Sequence, residues 1–569
     1  MTENKDLEGE IHPLKNDEGR NQETNEVSSI NKGSIIRKHT KFGQLSRWRT
    51  AAFFCALFLC LIVVFAFSFI IPCPVRPESQ RAWGRTYEDV VSYPFFTLWD
   101  ANRDKVTDVI FAFKYFNNTN VNGSCAAEGL LSCAYVTALS GTNGSLLWQR
   151  ALAEDVQHVQ CGIENRRSTK SSGCLVIGTP HLLTAIHSSG ETLWTFNTSF
   201  AADLSVIGPA LILPDLDDDD VGDFLIFFTP INEISSATKL ILLLLSGKNG
   251  DPIGQEVYHN VTESLVPFSP LIHITNSGAY YILFIQGTAQ GMALNDIYVQ
   301  ATGIPLTAAK LNAEFLKSDP EWEKKTDPLS RKIEISSSKT VKYLQKVHVP
   351  GKNAGNLLIT TNDLVELLDG QSLQNYWHYN ISQIQREPVS GYFNMDDSFD
   401  FLIEDFIEKD KKKVTIVDGR SGTVLWEKDL ICRKNCPNPS SIHTVSQSTF
   451  LFWGELQTQD NGSVPEDLTE NRHYLYMVHP SHPNIILELR NSTENVLAYT
   501  TALFEPSRHA CNVLLTGQPI GSKPGPLTIT KQKLKDAISL STVRRLNQGN
   551  DGFSDAELKE YFYRMRYRG

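Results

Sequence analysis

Two stretches of the 569-residue chain place side-chain oxygens at alternating positions of a turn: WDANRDKVTDVIFAF from Trp99 to Phe113, and PDLDDDDVGDFLIFF from Pro214 to Phe228. Oxygens so spaced can converge on a hard cation, and Ca2+ takes about six to eight of them. The candidate ligands are Asp100, Asn102, Asp104 and Asp108 with the Val106 carbonyl in the first loop, and Asp215, Asp217, Asp219 and Asp223 with the Val221 carbonyl in the second. Two carboxylates ~6 Å apart repel by roughly 0.7 kcal/mol even at the dielectric of water, so the Asp215 to Asp223 cluster has a clear reason to hold a cation; the alternative for either loop is a solvated acidic turn. Extracellular modules bind Ca2+ with dissociation constants of ~10⁻⁴ to 10⁻³ M, so a structural role needs no tight site. A third loop, FNMDDSFDFLIED from Phe393 to Asp405, is two residues shorter and has Ser398 among its candidate ligands; here a solvated turn is expected.

The loops must be held by something, and each runs straight into an apolar stretch that suits a strand buried on both faces. A second pattern surrounds them, a tight turn followed by an aromatic anchor: LSGTNGSLLW ending at Trp148, HSSGETLW ending at Trp194, LSGKNGDPI near Gly250, LDGQSLQNYW ending at Trp377 and VDGRSGTVLW ending at Trp426. Asp-Gly and Ser-Gly turns between apolar runs read as antiparallel hairpins, because Gly tolerates positive φ. Trp148 to Trp194 is 46 residues and Trp377 to Trp426 is 49. Four short strands need about that much chain, which is the repeat of a β-propeller blade. A ring fixed at one place in each blade can bury its face against the next blade. The fold class is therefore all-β, with a propeller of seven or eight blades over residues 93–535. Residues 315–345, rich in Lys, Ser and Asp, do not scan as a blade and are expected to be a surface insertion.

Ahead of the propeller, Ala51 to Ile71 reads AAFFCALFLCLIVVFAFSFII, 21 residues with no charge, amide or proline. At ~1.5 Å per residue this helix reaches roughly 31 Å, about the hydrocarbon thickness of a bilayer. Fifty polar residues precede it, and Pro72-Cys73-Pro74 follows instead of a small-x-small cleavage site, so it reads as a retained signal anchor over 51–71. Lys32, Arg37, Lys38, Lys41, Arg47 and Arg49 stand unopposed before it, whereas Arg76, Arg81 and Arg85 behind it are offset by Glu78, Glu88 and Asp89. Positive charge stays inside, giving a single-pass type II topology with a cytoplasmic N-terminus, at the cell surface or in the secretory pathway. Residues 1–50 read as a disordered cytoplasmic tail, residues 72–92 as a stalk, and residues 536–569 as a C-terminal extension. In that extension Ser554 and Glu557 form a capping box, and Leu558, Tyr561, Phe562 and Met565 form one apolar face of a short helix.

All eight Asn-x-Ser/Thr sequons, at Asn117, Asn122, Asn143, Asn197, Asn260, Asn380, Asn461 and Asn491, follow the span, as a glycosylated lumenal or extracellular part requires. Eight of ten cysteines follow it too, consistent with an oxidising compartment. Short loops could close through Cys125 with Cys133, Cys161 with Cys174, and Cys432 with Cys436. Cys73 and Cys511 either pair together, or Cys73 bridges two chains into a homodimer. With 53 Lys and Arg against 64 Asp and Glu, the net charge of -11 argues against a nucleic-acid binder.

The loops followed by an apolar strand resemble the FG-GAP repeats of integrin α-chain propellers, and the turns ending in Trp resemble quinoprotein-type propellers. A wider resemblance rests on IHPLK at Ile11, AAFF and LFLC in the span, IPCP at Ile71, TNGSLLW at Thr142, SDPEWE at Ser318, HVPG at His348, LLDG at Leu367 and LFEPSRHA at Leu503. Together these resemble protein family 234, in particular its member A branch, described as integrin alpha FG-GAP repeat-containing. The resemblance implies a type II membrane protein with a propeller ectodomain and brings no biochemical activity. In FG-GAP loops the sixth position is usually Gly, because the turn favours positive φ; here Lys105 and Asp220 stand there. No Gly-x-Ser-x-Gly elbow, His-Glu-x-x-His helix, Walker loop or adjacent Cys-Cys pair is present. The expected function is thus non-catalytic protein–protein interaction with an unidentified partner. The alternative is an ectoenzyme at the mouth of the propeller channel, where acids from several blades converge.

Overall fold

The computed structural model describes residues 42–70, 82–115, 133–164, 172–180, 182–196, 204–231, 238–261, 268–304, 316–408, 410–433, 436–456, 473–505, 509–546 and 552–568. It divides into two units, residues 1–75 and 76–569. The first contains the helix Phe42–Ile70, longer at its N-terminal end than the apolar run alone. Within it Trp48–Ala66 is long and apolar enough to cross a membrane, with none of its surface buried. Lacking any polar face, it gains nothing from water on any side.

The second unit is an eight-bladed propeller. Blade 1 consists of residues 92–99, Asp108–Tyr115, Cys133–Leu139 and Leu146–Leu152, each antiparallel to the next. Blades 2 to 7 follow in chain order over 155–195, 204–261, 271–336, 343–380, 389–431 and 440–492. Blade 8 takes Val496–Glu505, His509–Thr516 and Gly525–Lys533 from the C-terminal side, and its outermost strand from the other end of the chain. That strand is the first half of Trp83–Trp99, paired from Trp83↔Lys531 to Val90↔Gly525 before the same strand passes inward to begin blade 1. The expected stalk, 72–92, is therefore strand from Trp83 onward. Without an acceptor for its N–H groups, the outer edge of blade 8 would be open, and the ring would be held by side-chain packing alone.

The expected extension, 536–569, is likewise built into the propeller. Thr542–Arg545 adds a fifth strand to blade 7 along Ile485–Glu488. The helix Asp555–Tyr563 carries the expected Ser554–Glu557 capping box, and Leu558 and Phe562 are buried with Leu534 and Ile538 of the helix Leu534–Leu540. Tyr561, counted on the apolar face, is exposed instead.

Eight apolar clusters alternate with the blades, each shared by two neighbours. The second strand of blade 1 shows how. Ile110 and Ala112 face blade 2 with Val176 and Ile186, while Phe111 and Phe113 face blade 8 with Val513 and Ile529. Strand side chains alternate between faces, so a strand between two blades has to be apolar on both, and VIFAF after Asp108 is buried throughout.

Candidate functional site

Each acidic loop joins the innermost strand of a blade to the second, and the tight turn of the same blade joins the third strand to the fourth. In an antiparallel meander both connections lie at the same end, so the loop meets the turn. A buried aspartate ties them together. Asp223, fully buried, accepts from the Leu216 N–H within the loop, and from the Gly247 N–H of the turn at 3.1 Å. Asp108 accepts from Ala101 and Asn102 at 2.9 and 3.2 Å, and from Gly141 at 2.8 Å. Asp400 repeats the arrangement with Phe393, Asn394 and Gly419. Burial pushes all three carboxyls up against the pull of these N–H donors, Asp108 and Asp400 to about 6 and Asp223 to about 7. Asp108 and Asp223, expected as cation ligands, thus already serve as acceptors for the backbone.

The approach is close enough to dictate residue type. A Cβ on Gly247 would lie 1.9 Å from the Gly222 carbonyl oxygen. The preceding blade then docks on the same turn. The Trp194 indole N–H donates to the Gly247 carbonyl at 3.1 Å, and its ring lies against Gly250, which has φ +74°. Trp83 docks on Gly141 at 3.0 Å across the closing seam, and Trp377 on Gly419 at 2.8 Å. Trp426 donates to the Pro483 carbonyl of blade 7. The expected burial of each ring against the next blade is what the structure contains.

Blade 4 departs from the expected plan. Residues 315–345 are no surface insertion: Trp322, on the helix Pro320–Glu323, is fully buried and donates to the Gln371 carbonyl in the turn of blade 5 at 2.8 Å. It fills the place of a strand tryptophan although it comes from the connection between two strands. It also stacks on His273 with ring centres 5.0 Å apart. His273 reaches the Gly370 carbonyl at 2.7 Å, and burial lowers its pKa to about 4. Polar composition hid this segment, because one tryptophan among Lys and Asp leaves no periodic signal.

For cation binding, the described carboxylates converge in threes, within 4.8 Å, at two places: Asp215, Asp217 and Asp223, and Asp396, Asp400 and Asp418. The first is the expected second loop. The second lies in the loop expected to be solvated, and it is completed by Asp418, the aspartate of the VDGRSG turn. Sequence spacing could not bring Asp418 to the loop; the shared end of the blade does. In the first loop Asp100 and Asp104 accept N–H groups of the loop itself, from Asp104, Lys105 and Val106, and in the second Asp215 accepts likewise from Asp219 and Asp220. The left-handed sixth position is present in both long loops, with φ +66° at Lys105 and +70° at Asp220. Asp219 accepts from Val221 N–H and the Ser246 hydroxyl.

Two expected cysteine pairs are bonded, Cys161–Cys174 and Cys432–Cys436. Cys125 and Cys73 lie outside the described residues, so the Cys125–Cys133 pairing and the homodimer bridge fall there too; Cys511 is buried in blade 8. Asn143, Asn260, Asn380 and Asn491 are exposed, whereas Asn117, Asn122, Asn197 and Asn461 are outside the described residues.

The opposite end of the ring, where the connections between blades arrive, contains a cavity of about 770 Å³ bordered by the innermost strands of blades 1 and 8 and the leads into blades 6 and 7. Tyr93, Pro94 and Phe95 bulge out of register there. Among the described residues of its lining, Arg386 is the charged one and none is a carboxylate.

A family model described as FAM234A/B beta-propeller matches residues 83–568. The chain belongs to the FAM234A/B β-propeller family. Protein FAM234A of Rattus norvegicus is 38% identical over 576 residues, with 100% of each chain covered. Protein FAM234B of Homo sapiens is 32% identical over 532 residues, covering 91% of this chain and 82% of that one. Among solved structures, a europium-containing methanol dehydrogenase aligns at 9% identity and a TM-score of 0.41, covering 70% of this chain and 87% of its own. The FAM234A/B match begins at the residue that opens the closing strand, and it ends at Arg568, whose N–H donates to the His443 carbonyl of blade 7. Both ends of the ring closure thus belong to the family's propeller.

Proposed function

We propose that this FAM234A/B propeller is a non-catalytic recognition module on a single-pass type II membrane glycoprotein, with its N-terminus in the cytoplasm and its blades presented to a protein partner at the cell surface or in the secretory pathway. The observation that carries this reading is the cavity beside the innermost strands of blades 1 and 8. An ectoenzyme there needs converging acids, and the described lining offers Arg386 and no carboxylate. The helix Phe42–Ile70, apolar on every side from Ala51 onward, suits a membrane anchor, and the four described sequon asparagines are exposed, as glycan acceptors must be.

Calcium belongs to the same reading. Asp215, Asp217 and Asp223, and Asp396, Asp400 and Asp418, are hard oxygen donors close enough to share one ion. Bound there, Ca2+ would neutralise clustered carboxylates at the point where a blade grips its neighbour's tryptophan.

The test is binding of tagged residues 76–569, one compact unit, to living cells. Saturable binding competed by the untagged protein is expected. Failure to bind saturably to any of a broad panel of cell types would overturn the reading.

A further inference from the structure

We propose that the cavity beside the innermost strands of blades 1 and 8 is a binding site for a small organic carboxylate, held by Arg386 against an apolar wall. The inference is independent of the protein-recognition reading.

The argument begins with a charge imbalance. Glu404, on the second strand of blade 6, and Lys412, on the third, are both fully buried, and the Lys412 ammonium donates to Glu404 Oε1 at 2.6 Å. Arg386, in the lead into blade 6, meets the other oxygen of the same carboxylate with Nε at 3.5 Å. Two cations therefore share one buried anion, an excess of one positive charge. At 3.5 Å the second contact lacks hydrogen-bond geometry: Arg386 Nε and Glu404 Oε2 are both buried without a hydrogen-bond partner. Among the described residues, Glu404 is the acid within ion-pair reach of Arg386. The Arg386 side chain is 15% exposed and opens onto the cavity, so the excess positive charge faces that space, where an anion would balance it.

The place for that anion is already shaped. Arg386 lines the cavity, and its Nη1 is held at 2.6 Å by the Asn438 side-chain oxygen, which fixes the plane of the guanidinium. A fixed guanidinium presents paired donors that match the two oxygens of a carboxylate. Gln385 and Asn438 add polar groups beside it, and Pro94, Phe96 and Leu98 supply an apolar wall. The volume, about 770 Å³, falls in the range of small-molecule sites, roughly 300–1,000 Å³, and far exceeds what an inorganic anion fills. Charge on one side and apolar surface on the other select a carboxylate with a hydrocarbon body.

The experiment is equilibrium dialysis of radiolabelled phenylacetate against the full chain in lipid nanodiscs, with empty nanodiscs as the blank. Saturable binding at one site per chain is expected. Unlabelled phenylacetate should compete, while its neutral counterpart 2-phenylethanol and sodium sulfate should not compete at equal concentration. Arg386→Gln, which leaves Glu404 paired with Lys412, should weaken binding by about tenfold or more. Absence of saturable binding, equal competition by 2-phenylethanol, or unchanged affinity in Arg386→Gln overturns the proposal. Should Arg386→Gln fail to fold, Leu98→Trp decides: it fills the cavity from the apolar wall with the Arg386–Glu404 contact intact, and undiminished binding in it overturns the proposal equally.

Discussion

Trp194 and Asp223 hold the same glycine from two blades: the indole N–H donates to the Gly247 carbonyl, and the Gly247 N–H donates to the Asp223 carboxylate. Trp83 with Asp108, and Trp377 with Asp400, repeat the relationship through Gly141 and Gly419. An acidic loop is thereby coupled to the blade before its own, and the two blades meet at one peptide.

That coupling gives an ordered pair of effects. Trp194→Phe keeps an apolar ring and loses one hydrogen bond, so a cost of about 1 kcal/mol is expected. Asp223→Ala strands buried N–H groups of Leu216 and Gly247, each costing roughly 1–3 kcal/mol. Chemical denaturation of residues 76–569 checks the order. The double variant should depart from additivity by at least about 0.5 kcal/mol, because the two side chains share a partner; strict additivity would refute the coupling.

The closing seam should be as sensitive. Trp83→Ala removes both the ring packed on Gly144 and the hydrogen bond to Gly141, and a loss of about 3 kcal/mol is expected. Urea melts of the variant provide the measurement, and a change below about 1 kcal/mol, the worth of the hydrogen bond alone, would mean that blade 8 closes without this residue.

Chelation should lower the Tm of the propeller. At ~1 mM free Ca2+, a site with Kd ~10⁻⁴ M contributes about 1.4 kcal/mol. Asp217 is exposed, outside the clamp made by Asp223, so Asp217→Ala should remove part of the chelation response without unfolding the blade. Asp396→Ala should do the same for the third loop, and Asp100→Ala should do less. Differential scanning fluorimetry with and without EGTA decides; identical Tm values under both conditions would exclude calcium.

His273 predicts a pH dependence. Its pKa is lowered to about 4 by burial, against an ordinary value of about 6.5. The unfolded chain therefore takes up the proton first, so the stabilisation by neutral His273 is complete above pH ~6.5 and is lost as pH falls toward 4. The advantage of wild type over His273→Gln should shrink by on the order of 2 kcal/mol between pH 7 and 4.5. A difference that stays constant with pH in denaturant titrations would contradict this.

Topology is checked by glycosidase treatment. The protein from mammalian cells should gain gel mobility on removal of N-glycans, and Asn143→Gln, Asn260→Gln, Asn380→Gln and Asn491→Gln should each remove one step. Unchanged mobility of the treated wild type would place the propeller on the cytoplasmic side.

The amino-acid sequence by itself determined the features that repeat along the chain. The 21-residue apolar run, the turn-plus-tryptophan units and the acidic loops ahead of apolar strands are local patterns, and local chemistry reads them out: the period of two, glycine's access to positive φ, and the solvation of lysine and arginine. Even the left-handed turns at Lys105 and Asp220 were legible from loop position. Tertiary structure alone decided whatever joins distant segments. It took residues 83–90 from an expected stalk to close blade 8. It seated Trp322 from a polar stretch where a blade tryptophan belongs, and it brought Asp418 to a loop that looked too short. It also set Arg386 beside Glu404. A ring makes neighbours of residues at opposite ends of the chain, and that proximity comes from closure, which no window of sequence contains.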